Sequence, residues 1–246
     1  MRIQPIILAA GKGTRMGNPD LPKVLFPING TPMVQYVLDA FSHTSFLPPV
    51  LVVGYHHQLV RDALGDKFRY VLQEEQKGTG HAIMMCREEL AGTADAYFIV
   101  CGDQPLLSSD SMAEIAANHV NTQATFSMGT VVSDYESFEA FGRILRSPEG
   151  DLIGIREYKD CTPEEKEINE YNPSLYCCND NWLWNALDLI KPLNNQGEYY
   201  ITDLVGIAID QKQPTSSLKI KDWHEALGVN TPDQLEEVTR CLLEKQ

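Results

Sequence analysis

The chain has 246 residues, 43% hydrophobic and 22% charged, an ordinary composition for a folded globular protein with one sizeable α/β core. Its formal net charge of −14 argues against a nucleic-acid-binding face and against an anionic membrane surface. Local clusters of lysine and arginine stand out against that background and suit a small phosphorylated ligand.

Short apolar runs predict strands over residues 6–9, 50–53, 69–72, 97–101 and 124–131. Helix-period segments lie between them, over 32–41, 57–64, 80–90 and 110–119; the first has Pro32 in its opening turn behind Thr31. The alternation predicts βαβ units and a mainly parallel sheet. After Val132 the pattern changes. Residues 143–158 read as a hairpin closed by Pro148-Glu149-Gly150-Asp151, and 161–168 as an exposed loop or short helix. A strand near 175–178, helices near 181–190 and 202–210, a strand near 217–220 and a closing helix over 232–243 complete the chain. No Pro/Gly/Ser linker, repeat or low-complexity tract divides it. One α/β domain with a small hairpin-bearing lobe is expected.

The six cysteines, Cys86, Cys101, Cys161, Cys177, Cys178 and Cys241, show neither C-x-x-C pairing nor zinc-ligand spacing. Adjacent Cys177 and Cys178 are badly placed for a mutual disulfide, so free thiols in a reducing compartment are expected. Lys12 and Arg15 interrupt the first apolar run before a signal-peptide core can form. No stretch approaches the roughly 20 apolar residues of a membrane span. The expected location is the cytoplasm, with no membrane or nucleic-acid partner.

The first strand empties into L-A-A-G-K-G-T-R-M, residues 8–16. A Walker A loop fails on spacing, since no glycine followed by Lys-Ser or Lys-Thr closes it. A dinucleotide-binding G-x-G-x-x-G would need glycine at Met16 and an acidic ribose partner some way on. A third reading takes Gly11 and Gly13 as bare backbone whose amides approach a phosphate, with Lys12 and Arg15 adding charge. The alternative is a glycine-rich turn with solvated cations. Lys23 follows in L-P-K-V-L-F-P-I-N-G-T-P-M, residues 21–33, held between prolines in a stretch unsuited to helix or central strand. A lysine on so stiff a loop is placed to meet a second phosphate.

L-A-A-G-K-G-T-R-M, L-P-K-V-L and G-T-P-M together resemble the sugar nucleotidyltransferases. The resemblance continues through Q-E-E-Q-K-G-T-G-H-A (73–82), G-D-Q-P-L-L (102–107), F-G-R-I (141–144), E-Y-K-D (157–160), Q-G-E-Y-Y-I-T-D (196–203) and G-V-N (228–230). Within that family the chain is most similar to the N-acetylglucosamine-1-phosphate uridylyltransferases. The resemblance implies a Rossmann-like three-layer α/β fold, with a nucleotide-binding part (1–132), a sugar-phosphate-binding part (133–230) and a C-terminal helix (231–246). It implies UTP and a sugar 1-phosphate as small-molecule partners: the sugar phosphate attacks the α-phosphorus and pyrophosphate leaves. Such catalysis is mostly alignment and charge neutralisation. Lys12, Arg15 and Lys23 are then the charge stabilisers, and no protein nucleophile is needed.

Asp103 follows the apolar run 97–101, so it falls at the carboxyl end of a strand, where open α/β sheets bind ligands. The resemblance implies that Asp103 and Asn230 hold Mg²⁺, an ion that takes few protein oxygens and keeps water and phosphate ligands. On the bare sequence, Asp103 also reads as a turn former before Pro105, and Asn230-Thr231-Pro232-Asp233 as a helix start. Gln73, Gly78 and Thr79 match positions around the uracil ring, with the backbone of Leu8, Ala9, Ala10 and Gly11. Gly142, Glu157 and Asn172 match the sugar pocket, and Glu198 and Thr202 match further pocket positions. His81 and the thiols read as structural. Two departures fall on the sugar side: Cys101 stands where relatives carry tyrosine, and Pro173-Ser174 where they carry Thr-Gly. The hexapeptide repeats of an acetyltransferase half are absent from the sequence, so acetyl transfer is not expected of it. The competing readings are a transferase using another base or acceptor, and a sugar-nucleotide-binding module without turnover.

Overall fold

The computed structural model describes residues 1–135, 138, 141–194 and 196–244. The opening apolar run forms β1 (Ile3–Ala9), a seven-residue strand buried on both faces. A small hairpin, β2 (Pro27–Ile28) and β3 (Thr31–Pro32), turns on Asn29 and Gly30 with φ of 49° and 81°, the two left-handed residues that a tight hairpin needs. The sequence reading missed it. Pro32 closes β3 and precedes α1 (Met33–Ser42), rather than standing in that helix's first turn. Next come β4 (Val50–Val53), α2 (His57–Leu64) and β5 (Arg69–Leu72). The helix expected over 80–90 is broken at Met85-Cys86 into α3 (Thr79–Met84) and α4 (Arg87–Leu90). Strand β6 (Ala96–Cys101) and helix α5 (Ser109–Asn121) follow, and then β7 (Phe126–Val132). That strand starts two residues later than expected, because the amides of Thr125 and Phe126 bond to the Pro214 carbonyl.

Beyond β7, the predicted hairpin is β8 (Arg143–Arg146) with β9 (Leu152–Arg156). The polar stretch after it carries α6 (Pro163–Lys166), started by a Thr162–Glu165 capping box. Strands β10 (Glu170–Tyr171) and β11 (Tyr176–Asn179), helices α7 (Asp180–Leu187) and α8 (Asp203–Asp210), strand β12 (Thr215–Lys219) and helix α9 (Pro232–Glu244) complete the described chain. Residues 245–246 of the expected 231–246 segment lie outside the described residues.

Ten strands among the described residues form one sheet, ordered β5-β4-β1-β6-β11-β7-β10-β8-β9, with β12 also beside β7. The first four pair in parallel, and β12 is parallel to β7. Strand β11 runs antiparallel between β6 and β7. Strand periodicity sends alternate side chains to two cores. Ile7, Ala9, Phe98 and Val100 pack under α1 and α5 on one face; Ile6, Tyr97 and Ile99 pack under α3, α7 and α8 on the other. The result is a three-layer α/β sandwich. The carboxyl ends of β1, β4 and β6 open at one edge of it.

Candidate active site

The loop after β1 is shaped by Gly13, which lies at φ 64°; a Cβ there would sit 2.7 Å from Lys23 Cβ. Only glycine permits that backbone and that approach, so the turn packs directly on the base of the Lys23 side chain. Buried Val24 and Leu25 anchor the short turn that carries Lys23. Its ammonium is ion-paired with the Asp103 carboxylate and donates to Asn230 Oδ1 at 2.9 Å. Asp103 is held at the end of β6, where the Gly102 amide donates to the Leu8 carbonyl at 2.9 Å. The Asn230 loop is tied on by the Val229 amide, which donates to the Asp103 carbonyl at 2.9 Å. Lys12 and Arg15 are exposed on the glycine loop, and the Lys12 ammonium lies 5.8 Å from the Tyr55 ring centroid. Of the three expected cations, the fold brings Lys23 to the Asp103–Asn230 pair.

Those two side-chain oxygens converge on a single positive charge, and carboxylate and carboxamide are the hard donors that magnesium takes. Among the described residues no cluster of three or more His, Cys, Asp or Glu could cage a metal. Asp103 and Asn230 have the donor chemistry for a divalent ion that draws its other ligands from phosphate and water.

Two cavities open beside this pair. The first, about 230 Å³, is lined by Leu8 to Gly11, Lys23, Gln73, Gly78, Asp103 and Glu198. The second, about 220 Å³, is lined by Glu157, Ser174, Tyr176, Tyr200 and Thr202. They share Leu8, Thr79 and Cys101. Gln73 is buried, and its Nε2 donates to the Gly78 carbonyl at 3.1 Å. Gly78 lies at φ 105°, and a Cβ there would meet the Tyr199 carbonyl at 2.5 Å. The segment around it is stitched to the 198–202 loop by Gly80 N to Tyr199 O (2.8 Å), Tyr199 N to Lys77 O (2.8 Å) and Ile201 N to Thr79 Oγ1 (3.1 Å). Thr79 thus braces the wall that both cavities share.

In the second cavity Thr202 Oγ1 donates to Glu157 Oε1 at 3.1 Å. Burial raises the Glu157 carboxyl above its ordinary range, against the opposing pull of that hydrogen bond, and Asp160 and Asp203 add to the rise. Gly142 leaves room behind it: a Cβ there would lie 2.9 Å from Ile155 and 3.6 Å from Glu157 Oε1. Asn172, expected in the sugar pocket, stands one layer back. Its carboxamide bonds the Tyr176 hydroxyl at 2.7 Å and accepts from the Ser174 amide at 3.0 Å, and it is these two residues that line the cavity. Burial, chiefly, and the Asp103 charge push the Cys101 thiol up to about 12, so it faces the cavity protonated. Ser174, one of the two departures expected on the sugar side, does line this cavity, while sequence reasoning missed Tyr176 and Tyr200. Tyr200 lay inside a quoted motif, whereas Tyr176 carries no local signal beyond its strand.

Residues 5–146 match a family model described as a MobA-like NTP transferase domain. The Bifunctional protein GlmU of Heliobacterium modesticaldum is 39% identical over 241 residues, covering 98% of this chain and 52% of the relative. That of an Exiguobacterium species is 38% identical over 225 residues, covering 92% and 49%. The chain thus spans about half the length of the curated relatives it matches. Among solved structures, UDP-glucose pyrophosphorylase complexed with UDP-glucose aligns over the whole of both chains, with a TM-score of 0.82 at 19% identity. The apo form of a UDP-glucose pyrophosphorylase gives 0.82 at 18%, covering 100% and 99%; these two share the fold. Given a model match over more than half its length and relatives near 39% identity along almost all of it, the chain belongs to the MobA-like NTP transferase domain family.

Proposed function

We propose that the protein transfers UMP from UTP to a sugar 1-phosphate, N-acetylglucosamine 1-phosphate first among them, releasing pyrophosphate. The observation that carries this reading is the pair of cavities meeting at Leu8, Thr79 and Cys101 beside Lys23 and Asp103. One has a backbone cradle and a carboxamide suited to a nucleotide; the other has a carboxylate, hydroxyls and an aromatic wall suited to a sugar ring. The GlmU relatives support a sugar nucleotidyltransferase reading. In this reading the Leu8–Gly13 backbone receives the triphosphate, and Lys12 and Arg15 meet its outer charge. Lys23 leaves the carboxylate to follow the charge that builds on the reacting phosphate. A divalent ion at Asp103 and Asn230, when bound, would supply charge neutralisation on the phosphates. Glu157 and Thr202 accept from and donate to sugar hydroxyls, which aligns the phosphate oxygen for attack. The Gln73 carboxamide faces the base edge.

The test is pyrophosphate release with Mg²⁺ across a grid of nucleoside triphosphates against N-acetylglucosamine, N-acetylgalactosamine and glucose 1-phosphates. Turnover confined to UTP with N-acetylglucosamine 1-phosphate is the expected result. Turnover with another base or sugar would reassign the substrate. A blank grid with UDP-sugar still bound would overturn catalysis altogether.

A further inference from the structure

The Gln73 side chain has a geometry that its neighbours dictate. Its terminal atom 3.1 Å from the Gly78 oxygen must be the amide nitrogen, because a carbonyl can only accept. That same nitrogen lies 3.0 Å from His81 Nδ1. An amide nitrogen only donates, so His81 Nδ1 must be a lone-pair acceptor and its proton sits on Nε2. Both amide hydrogens are then spent inside the protein. Among the described residues Oε1 has no protein partner, it is not sealed from solvent, and Gln73 lines the first cavity. What the cavity meets is an acceptor in fixed orientation.

We propose that His81 is a positioning residue for base selection: with the Gly78 carbonyl it locks the Gln73 amide so that Oε1 faces the base. The inference rests on the nucleotide reading of the first cavity. An acceptor there suits a pyrimidine whose ring nitrogen carries a hydrogen, as the imide of uracil does. Cytosine presents a bare ring nitrogen at the same edge and sets lone pair against lone pair. His81 is half-buried, with Tyr199 at 6.2 Å between ring centroids on one side. The charged groups facing it are Lys77 and Glu75 on the preceding loop. Burial chiefly, and then Lys77, lower its proton affinity below the ordinary histidine range, while Glu75 opposes them. The ring is therefore neutral at neutral pH. A proton on Nδ1 would set donor against donor, and the amide would lose one of the two bonds that fix its orientation.

The experiment measures the ratio of kcat/KM for UTP over CTP, and the matching Kd ratio, in the whole protein from about pH 5.5 to about pH 8. His81→Leu removes the acceptor and is expected to lower the UTP preference about tenfold, the worth of one neutral hydrogen bond. His81→Asn places an amide oxygen near the Nδ1 position and is expected to restore it. In the wild type the preference falls toward the acid end, and in His81→Asn it does not. A His81→Leu protein with the wild-type ratio would overturn the proposal. If that variant does not fold, equal pH profiles for wild type and His81→Asn would do so. Gln73→Leu separates the premise from the inference: if it too keeps the wild-type ratio, the base site itself is misplaced; if it alone loses the ratio, only the role of His81 fails.

Discussion

At the scale of single residues, the site turns on where charge is placed. Lys23 is held between two oxygens of Asp103 and Asn230, which places a positive charge in the wall of the first cavity. Lys23→Ala is expected to lower kcat by about 10²–10³-fold, with far-UV circular dichroism unchanged; a near-normal kcat would remove Lys23 from the chemistry. Glu157 makes the opposite point. Its carboxyl is raised by burial, so its ionised form is stabilised less in the folded protein than in the unfolded chain. The sign follows from linkage: the cost is absent below the ordinary glutamate pKa of about 4.3 and grows as pH rises through the raised value. Glu157→Gln is therefore expected to melt higher than wild type at neutral pH. That gain should vanish near pH 4, while KM for the sugar phosphate rises more than KM for UTP. The meeting of Lys23 with Asp103 was partly legible, from a stiff proline-flanked loop and from the carboxyl end of a strand, whereas Asn230 came only from the family resemblance, because its own sequence reads as a helix start. The displacement of Asn172 by Ser174 and Tyr176 was not legible, because it depends on how β11 lies against β6, which residue order does not reveal.

At the scale of elements, apolar runs and helical period located most strands and helices, since burial on one or two faces is what those patterns encode. They failed where a local bond competes. The 80–90 helix breaks between Met84 and Arg87, and the hairpin of β2 and β3 rests on two left-handed residues, not on periodicity. Helix α5 shows what holds an element in place. His119 is wholly buried on it and joins Ser127 on β7 through Nδ1 at 2.8 Å and Asn179 on β11 through Nε2 at 2.9 Å. Asn179 offers its oxygen, so the ring donates from Nε2, and with burial keeping it neutral Nδ1 accepts from the Ser127 hydroxyl. Burial, the main cause, lowers its proton affinity, although the Asn179 bond opposes it. A depressed value means that stability is complete above the ordinary pKa of about 6.5 and is lost as pH falls through the folded value. Urea denaturation is expected to show the wild type losing more stability between about pH 7.5 and about pH 5 than His119→Gln does. Equal losses would show that this histidine does not set the acid limit.

At the scale of the whole molecule, the parallel half of the sheet was readable from its βαβ rhythm. The mixed side was not: β11 returns from residues 176–179 to lie between β6 and β7, and nothing in its short apolar run announces that destination. One ladder consequently crosses from the first cavity's strands to the second's. Amide exchange is expected to be slowest in β1, β6 and β11 and to protect them together, as one cooperative unit. Two well-separated exchange classes on either side of β11 would contradict that.

The position of β11 also governs how a ligand gets in. Four residue pairs join it to β6, and three more join it to β7, so these strands are expected to move as a single plate. A clamshell motion would have to tear that ladder. Entry and exit are left to the surface segments that hang from the plate, above all the 73–80 and 198–202 stretches, which are fastened to each other by backbone hydrogen bonds. Because of that fastening they are expected to lift as one flap. If the proposed function holds, the nucleotide and the sugar phosphate share a door, and whichever arrives first decides whether it is still open to the other.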